Sequence, residues 1–141
     1  MKQIISCICF FLLIEGGFAQ DLAAVSKDSK VFLENDSKNE NAVKTIDELL
    51  GRLNEWGYWK IVKNPEDADF KLKVDISASK GITATSWGGT SYELVGKLID
   101  KKDAVIWESN TYKASPNGTN GFNAGKAVVK KLMRDLKKKA N

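Results

Sequence analysis

Phe70-Lys71-Leu72-Lys73-Val74-Asp75-Ile76-Ser77 is the stretch that decides the fold. Apolar side chains fall on every second residue, and charged or hydroxylated ones fill the gaps. A period of two marks a strand with one face buried and the other wet. Such a strand needs a cover on its apolar side only. Asn64-Pro65-Glu66-Asp67 just before it is a turn, because proline fixes its φ and asparagine favours the bend. Ser79 to Ser91 after it is small, hydroxylated and glycine-rich apart from Ile82 and Trp87, and is expected to be a loop or a frayed strand end.

Working outward, the cover comes from two amphipathic helices. Ala42, Val43, Ile46, Leu49, Leu50, Leu53 and Trp56 recur at helical intervals, and Gly57 supplies a stop. Ser37 and Glu40 stand three apart, which predicts a capping box at the start of this helix. A final helix is expected from about Phe122 to Lys138, with Val128, Val129, Leu132 and Leu136 on its inner stripe. Between them, Lys30–Glu34 and Tyr58–Val62 read as short strands. Tyr92–Ile99 and Ala104–Tyr112 read as a hairpin pair about Asp100-Lys101-Lys102-Asp103. Ala114 to Gly121 is a second loop. The order is β-α-β-β-β-β-α. One-sided helices and one-sided strands have a simple solution: an α+β two-layer sandwich, a mostly antiparallel sheet with both helices on one face.

The amino-terminal residues speak to compartment. Lys2, the apolar run Ile4–Ile14 and the small residues Gly17 and Ala19 make a signal peptide over residues 1–19, with cleavage expected between Ala19 and Gln20. A run of 11 residues is too short for a membrane span, which takes about 20. Ile4-Ile5-Ser6-Cys7 has the look of a lipobox, but it precedes any hydrophobic core that could engage an export machinery. The expected location is therefore periplasmic or secreted, with no transmembrane segment after cleavage. Residues 20–29 are expected as a flexible arm and residues 30–138 as one domain.

Composition removes several chemistries. The chain has no histidine, and both cysteines, Cys7 and Cys9, lie in the signal segment. Ser-His-Asp and Cys-His catalysis are excluded, as are metal sites built on imidazole or thiolate. No cofactor is expected, and the chain reads as no enzyme. Glu66, Asp67 and Asp69 form the one dense acidic group. They fall in a turn, whereas a glycosidase pair faces itself across a cleft. The oxygen-rich Glu34–Asn41 lacks the spacing and central glycine of a calcium loop and is better explained as a helix start. Gly121-Phe122-Asn123-Ala124-Gly125-Lys126-Ala127 falls one residue short of phosphate-loop spacing and lacks its hydroxyl.

The net charge is +4, concentrated in the last helix, where Lys126–Lys139 carries seven bases against Asp135. No aromatic residues interleave those bases, so no nucleic-acid platform is indicated, and the lysines read as a solvated face. Trp87, among Thr85, Ser86, Gly88, Gly89 and Thr90, has two readings: a side chain folded back over the sheet edge, which local packing slightly favours, or an exposed anchor for a partner. With the outward set Lys71, Lys73 and Asp75, it forms the expected partner-binding group. The partner class is an envelope protein or glycan.

Glu66-Asp67-Ala68-Asp69-Phe70-Lys71-Leu72-Lys73-Val74, Val105-Ile106-Trp107-Glu108-Ser109 and the closing helix together resemble a pattern found in small exported proteins of Gram-negative bacteria. These are periplasmic or lipoprotein domains related to the amino-terminal domain of TolB and the curli-assembly lipoprotein. The resemblance spans about Lys30 to Lys138. It implies the same fold, no shared catalytic residues and an adaptor role in the envelope. This chain departs from the lipoprotein members in lacking a well-placed lipidated cysteine. The competing functions are a carboxylate-dependent hydrolase of envelope glycans and a structural oligomer subunit.

Overall fold

β3, Phe70–Lys80, is the spine of an open six-stranded sheet. The computed structural model describes residues 25–80, 89–116 and 123–140. Chain order runs β1 (Lys30–Glu34), α1 (Glu40–Trp56), β2 (Lys60–Val62), a 3-10 turn at Pro65–Asp67, β3, β4 (Thr90–Ile99), β5 (Val105–Glu108), β6 (Tyr112–Ala114) and α2 (Ala124–Ala140). In space the strands lie β2-β1-β3-β4-β5, with β6 also on β4. The β3–β4, β4–β5 and β4–β6 ladders are antiparallel. β1 sits parallel to both β2 and β3. Parallel neighbours need a crossover, and α1 is the crossover between β1 and β2.

The alternation does what its period demands. Leu72, Val74 and Ile76 are buried opposite Leu98, Gly96 and Leu94 of β4. Ala42, Leu49 and Leu53 of α1 and Val128, Val129, Leu132 and Leu136 of α2 are buried against that same side. Both helices therefore cover one face. Each fully buried leucine or valine contributes about 1.5–3 kcal/mol of burial, so this interface carries the fold. Gly96 is where α2 comes closest: a Cβ there would lie 3.0 Å from Leu132 Cδ1. Tyr58, stacked on Trp56 at 4.9 Å, donates its hydroxyl to the Ala140 carbonyl at 3.0 Å. That bond joins the carboxyl end of α1 to the carboxyl end of α2.

The expected boundaries shift in instructive places. β3 and β4 run on to Lys80 and back to Thr90, through Ser79↔Ser91 and Lys80↔Thr90 pairs, so the ends of the stretch expected as loop or strand end are strand. Backbone pairing needs no apolar side chain at a solvated hairpin end. The expected fifth strand is broken in two pieces that both pair with β4. At the break, Ser109 Oγ accepts the Gly96 N–H at 2.9 Å, and the Ser109 N–H donates to the Gly96 carbonyl at 2.8 Å. A side chain stands in for a ladder acceptor there. Val25, within the segment expected as an arm, is buried at 1 % exposure, and the Asp28 N–H donates to the Tyr58 carbonyl at 2.7 Å.

The helix cap is Asn39 rather than Ser37. Asn39 is extended, and its side-chain oxygen accepts the Asn41 N–H at 2.9 Å. Glu40 is then the first helical residue, too early to reach back, and it pairs with Lys44 at 2.8 Å instead. Gly57 ends α1 in the left-handed region at φ 60°, its N–H donating to the Leu53 carbonyl. Asn39→Ala is expected to cost about 1 kcal/mol, read as a lower urea midpoint at unchanged slope; Ser37→Ala should move it by only a few tenths.

Candidate binding face

The face of the sheet away from the helices is lined with charge. Register sets its pattern: Glu34 stands beside Lys73, Lys73 opposite Lys97, Lys97 opposite Glu108, and Glu93 opposite Lys113. Like charges directly opposite each other repel, so each lysine turns to its other neighbour. Lys73 reaches Asp36 at 2.6 Å and Glu34 at 3.4 Å, Lys97 reaches Glu108 at 3.6 Å, and Lys113 reaches Glu93 at 2.7 Å. Lys71 pairs with Asp103 at 3.3 Å. The hydrogen bond that Lys73 donates to Asp36, then the one it donates to Glu34, raises its pKa above the ordinary value. The sequence-derived group Lys71, Lys73 and Asp75 thus lies on one strand and one face, with both lysines already bridged.

Asp75 differs. It is exposed, and among the described residues no cation lies within ion-pair distance of it. It lines a depression of about 410 Å³ whose walls are the β1–α1 turn (Asn35, Asp36, Ser37), the strand residues Ser77, Glu93 and Val95, and Thr111. The turn is held by Asn35, whose Oδ1 accepts the Ser37 N–H at 3.1 Å while its Nδ2 donates to the Ser37 carbonyl at 3.2 Å. With Asp36 and Glu93 occupied by lysines, Asp75 presents free carboxylate oxygens beside hydroxyls and an amide. Such a surface can accept hydrogen bonds from sugar hydroxyls or take a cationic side chain.

β4 and β6 are tied together where they meet. Tyr92 pairs with Ala114, and the hydroxyls of Ser91 and Ser115 lie 2.9 Å apart. Trp87 lies outside the described residues.

The acidic turn is occupied otherwise. Glu66 and Asp67 are exposed, and Asn64 Nδ2 donates to Asp67 Oδ2 at 3.2 Å. Asp69 Oδ2 accepts the Lys30 N–H at 2.9 Å, and Lys101 stands 3.4 Å from its other oxygen. The Lys30 N–H above all, then Lys101, holds the Asp69 carboxyl below the usual carboxylate range. A general acid needs the opposite shift. Asp69 ties the start of β3 to β1, its own N–H donating to the Lys30 carbonyl at 2.7 Å. Among the described residues no group of three His, Cys, Asp or Glu is placed to hold a metal.

Sequence reasoning missed one part-buried polar pair. The Tyr112 hydroxyl donates to Asp135 Oδ2 at 2.6 Å, joining β6 to α2. Its signal was present: Asp135 is the lone acid among the seven bases of the last helix.

The architecture is a single open sheet backed on one face by two helices. No protein-family model matches the chain, and no curated protein matches its sequence. Among solved structures, it is similar to a PelC dodecamer of Paraburkholderia phytofirmans, at 17% identity and a TM-score of 0.60, covering 79% of this chain and 90% of that one. A minor lipoprotein of Acinetobacter baumannii matches at 16% identity and TM-score 0.54, over 77% of this chain and 90% of its own. A Xanthomonas campestris protein of the DUF330 family matches at 12% identity and TM-score 0.53, over 79% and 81%. At these identities the likeness is one of fold. Among the described residues no helix is long and apolar enough to cross a membrane.

Proposed function

We propose that this chain is an exported, non-enzymatic binding or adaptor module of the cell envelope, released by cleavage after Ala19, that holds an envelope protein or glycan against its open sheet face. The observation that carries this reading is the depression around Asp75, on a face that neither helix covers. Trp87, with Lys71, Lys73 and Asp75, belongs to the partner-binding group of this proposal on the strength of its sequence setting, a large aromatic among small residues. Kinship with the TolB amino-terminal domain and the curli-assembly lipoprotein is part of this proposal and implies an adaptor role. The hydrolase alternative loses its supposed carboxylates to the turn and to Lys30 and Lys101.

The test is capture of crosslinked partners from intact envelopes by the full-length protein and two variants. Asp75→Lys and Trp87→Ala are each expected to reduce capture about tenfold or more, as removal of an interface anchor does, while the melting temperature barely moves. Undiminished capture by both variants would sink the proposal. A large fall in melting temperature for Trp87→Ala would place that side chain in the core. A second reading, a symmetric oligomer, is favoured by the dodecameric PelC structures; light scattering of the purified protein separates it from a monomeric adaptor.

A further inference from the structure

α2 carries six lysines and Arg134 against Asp135, while the remaining described residues hold fourteen bases and fifteen acids. The positive charge of the domain is thus the charge of one helix. Its buried stripe, Val128, Val129, Leu132, Met133 and Leu136, faces the sheet. Lys126, Lys130, Arg134, Lys137 and Lys138 are exposed on the opposite side at helical intervals, a row about 18 Å long at 1.5 Å per residue. Three of the seven cations are engaged: Lys126 with Glu48 at 3.8 Å, Lys131 with the Lys113 carbonyl at 2.8 Å, and Arg134 with Asp135 at 3.1 Å. Lys130, Lys137, Lys138 and Lys139 have no ion pair among the described residues.

We infer that this row docks the domain, helix layer down, on an anionic lipid bilayer surface. Three features select that occupant. Lysine is a hydrated point charge on a flexible stem and suits the diffuse charge of a headgroup layer, whereas bidentate reading of a discrete phosphate calls for arginine, and the single arginine here is held by Asp135. The exposed row has no aromatic side chain, so bases of a nucleic acid find nothing to stack on. The apolar stripe is consumed by the core, so attachment is electrostatic without insertion. In this orientation the open sheet face, on the far side of the domain, points away from the membrane.

The test is co-sedimentation of the full chain with phosphatidylcholine vesicles, with and without phosphatidylglycerol. The apolar amino-terminal run can bind either kind of vesicle, so the readout is the difference between them. Wild-type protein is expected to bind the phosphatidylglycerol vesicles preferentially, and to lose that preference as salt rises from about 0.05 M to about 0.5 M, where screening shortens below the width of the row. Replacing Lys130, Lys137, Lys138 and Lys139 by glutamine should reduce the preference by about a hundredfold or more, each lysine near an anionic surface being worth roughly fivefold. Equal binding to both vesicle types by the wild type, or an unchanged preference in the quadruple variant at an unchanged melting temperature, overturns the inference. A duplex oligonucleotide that displaces no vesicle-bound protein supports it; one that binds the wild type more tightly than the vesicles do overturns it in favour of a nucleic acid.

Discussion

Replacing Leu132 by alanine is expected to destabilise the domain by about 3–5 kcal/mol, a large fraction of the 5–15 kcal/mol that holds a typical domain together. Leu132 is fully buried and sits directly above Gly96 of β4. Its loss opens a cavity at the centre of the helix–sheet interface, where backbone on both sides limits collapse. The converse change, Gly96→Ala, drives a methyl to 3.0 Å from Leu132 Cδ1 and 3.4 Å from Cδ2. That crowding should cost about 1–3 kcal/mol. Combined, the two changes compensate, because the new methyl enters the space the leucine left. Urea unfolding of both singles and the double should show a coupling of about 0.5–3 kcal/mol in the favourable direction. Strict additivity would mean that α2 does not lie on this face of β4.

The second large effect belongs to Tyr112. Its ring is buried, and its hydroxyl gives a short hydrogen bond to the carboxylate of Asp135. Removing that hydroxyl in Tyr112→Phe should cost about 1.5–3 kcal/mol, the range for a bond to a charged group. The bond also sets the dependence on pH. Burial first, and the Asp135 bond second, raise the tyrosine pKa well above its ordinary value. An unfolded tyrosine loses its proton near pH 10, so the unfolded chain gains charge there that the folded chain resists. Stability from this group is therefore complete below about pH 10 and falls as pH rises beyond it. Asp135 has the mirror behaviour. Tyr112 first, and Arg134 next, lower its pKa, so its contribution is present above about pH 4 and is lost as pH falls through the folded value. Tyr112→Phe should flatten both limbs of the stability–pH curve. An unaltered alkaline limb would place the tyrosine outside this bond.

The elements of this fold are written locally, and their neighbours are not. The Phe70–Ser77 alternation and the apolar spacing of the two helices are physical requirements visible in the residues themselves, and the two-layer arrangement follows from them. Alternation says which face of a strand is buried but not which strand lies beside it. Nothing in Lys30–Glu34 announces that β1 slots in parallel between β2 and β3. The division of the last hairpin arm into β5 and β6 turns on Ser109, whose hydroxyl takes a backbone partner from Gly96, a contact thirteen residues away in the chain. The Asn39 cap carries no capping-box spacing, since Ala42 stands three residues on, whereas Ser37 and Glu40 do have that spacing. Lys71, Lys73 and Asp75 could be assigned to one face from parity alone. The depression beside Asp75 could not, since its walls come from the β1–α1 turn and from Glu93, Val95 and Thr111, brought together only by register.

The most direct test of the account is thiol labelling of a Ser77→Cys variant, read on the peptide that carries residue 77. In purified protein, the side chain on the open face should react as fast as a free thiol; in intact envelopes, it should be strongly protected, and addition of salt or denaturant that strips partners should restore reaction. A thiol at this position that is inert in the purified monomer, or equally reactive in both settings, contradicts the claim that this side of the sheet is bare in the domain and covered in the cell.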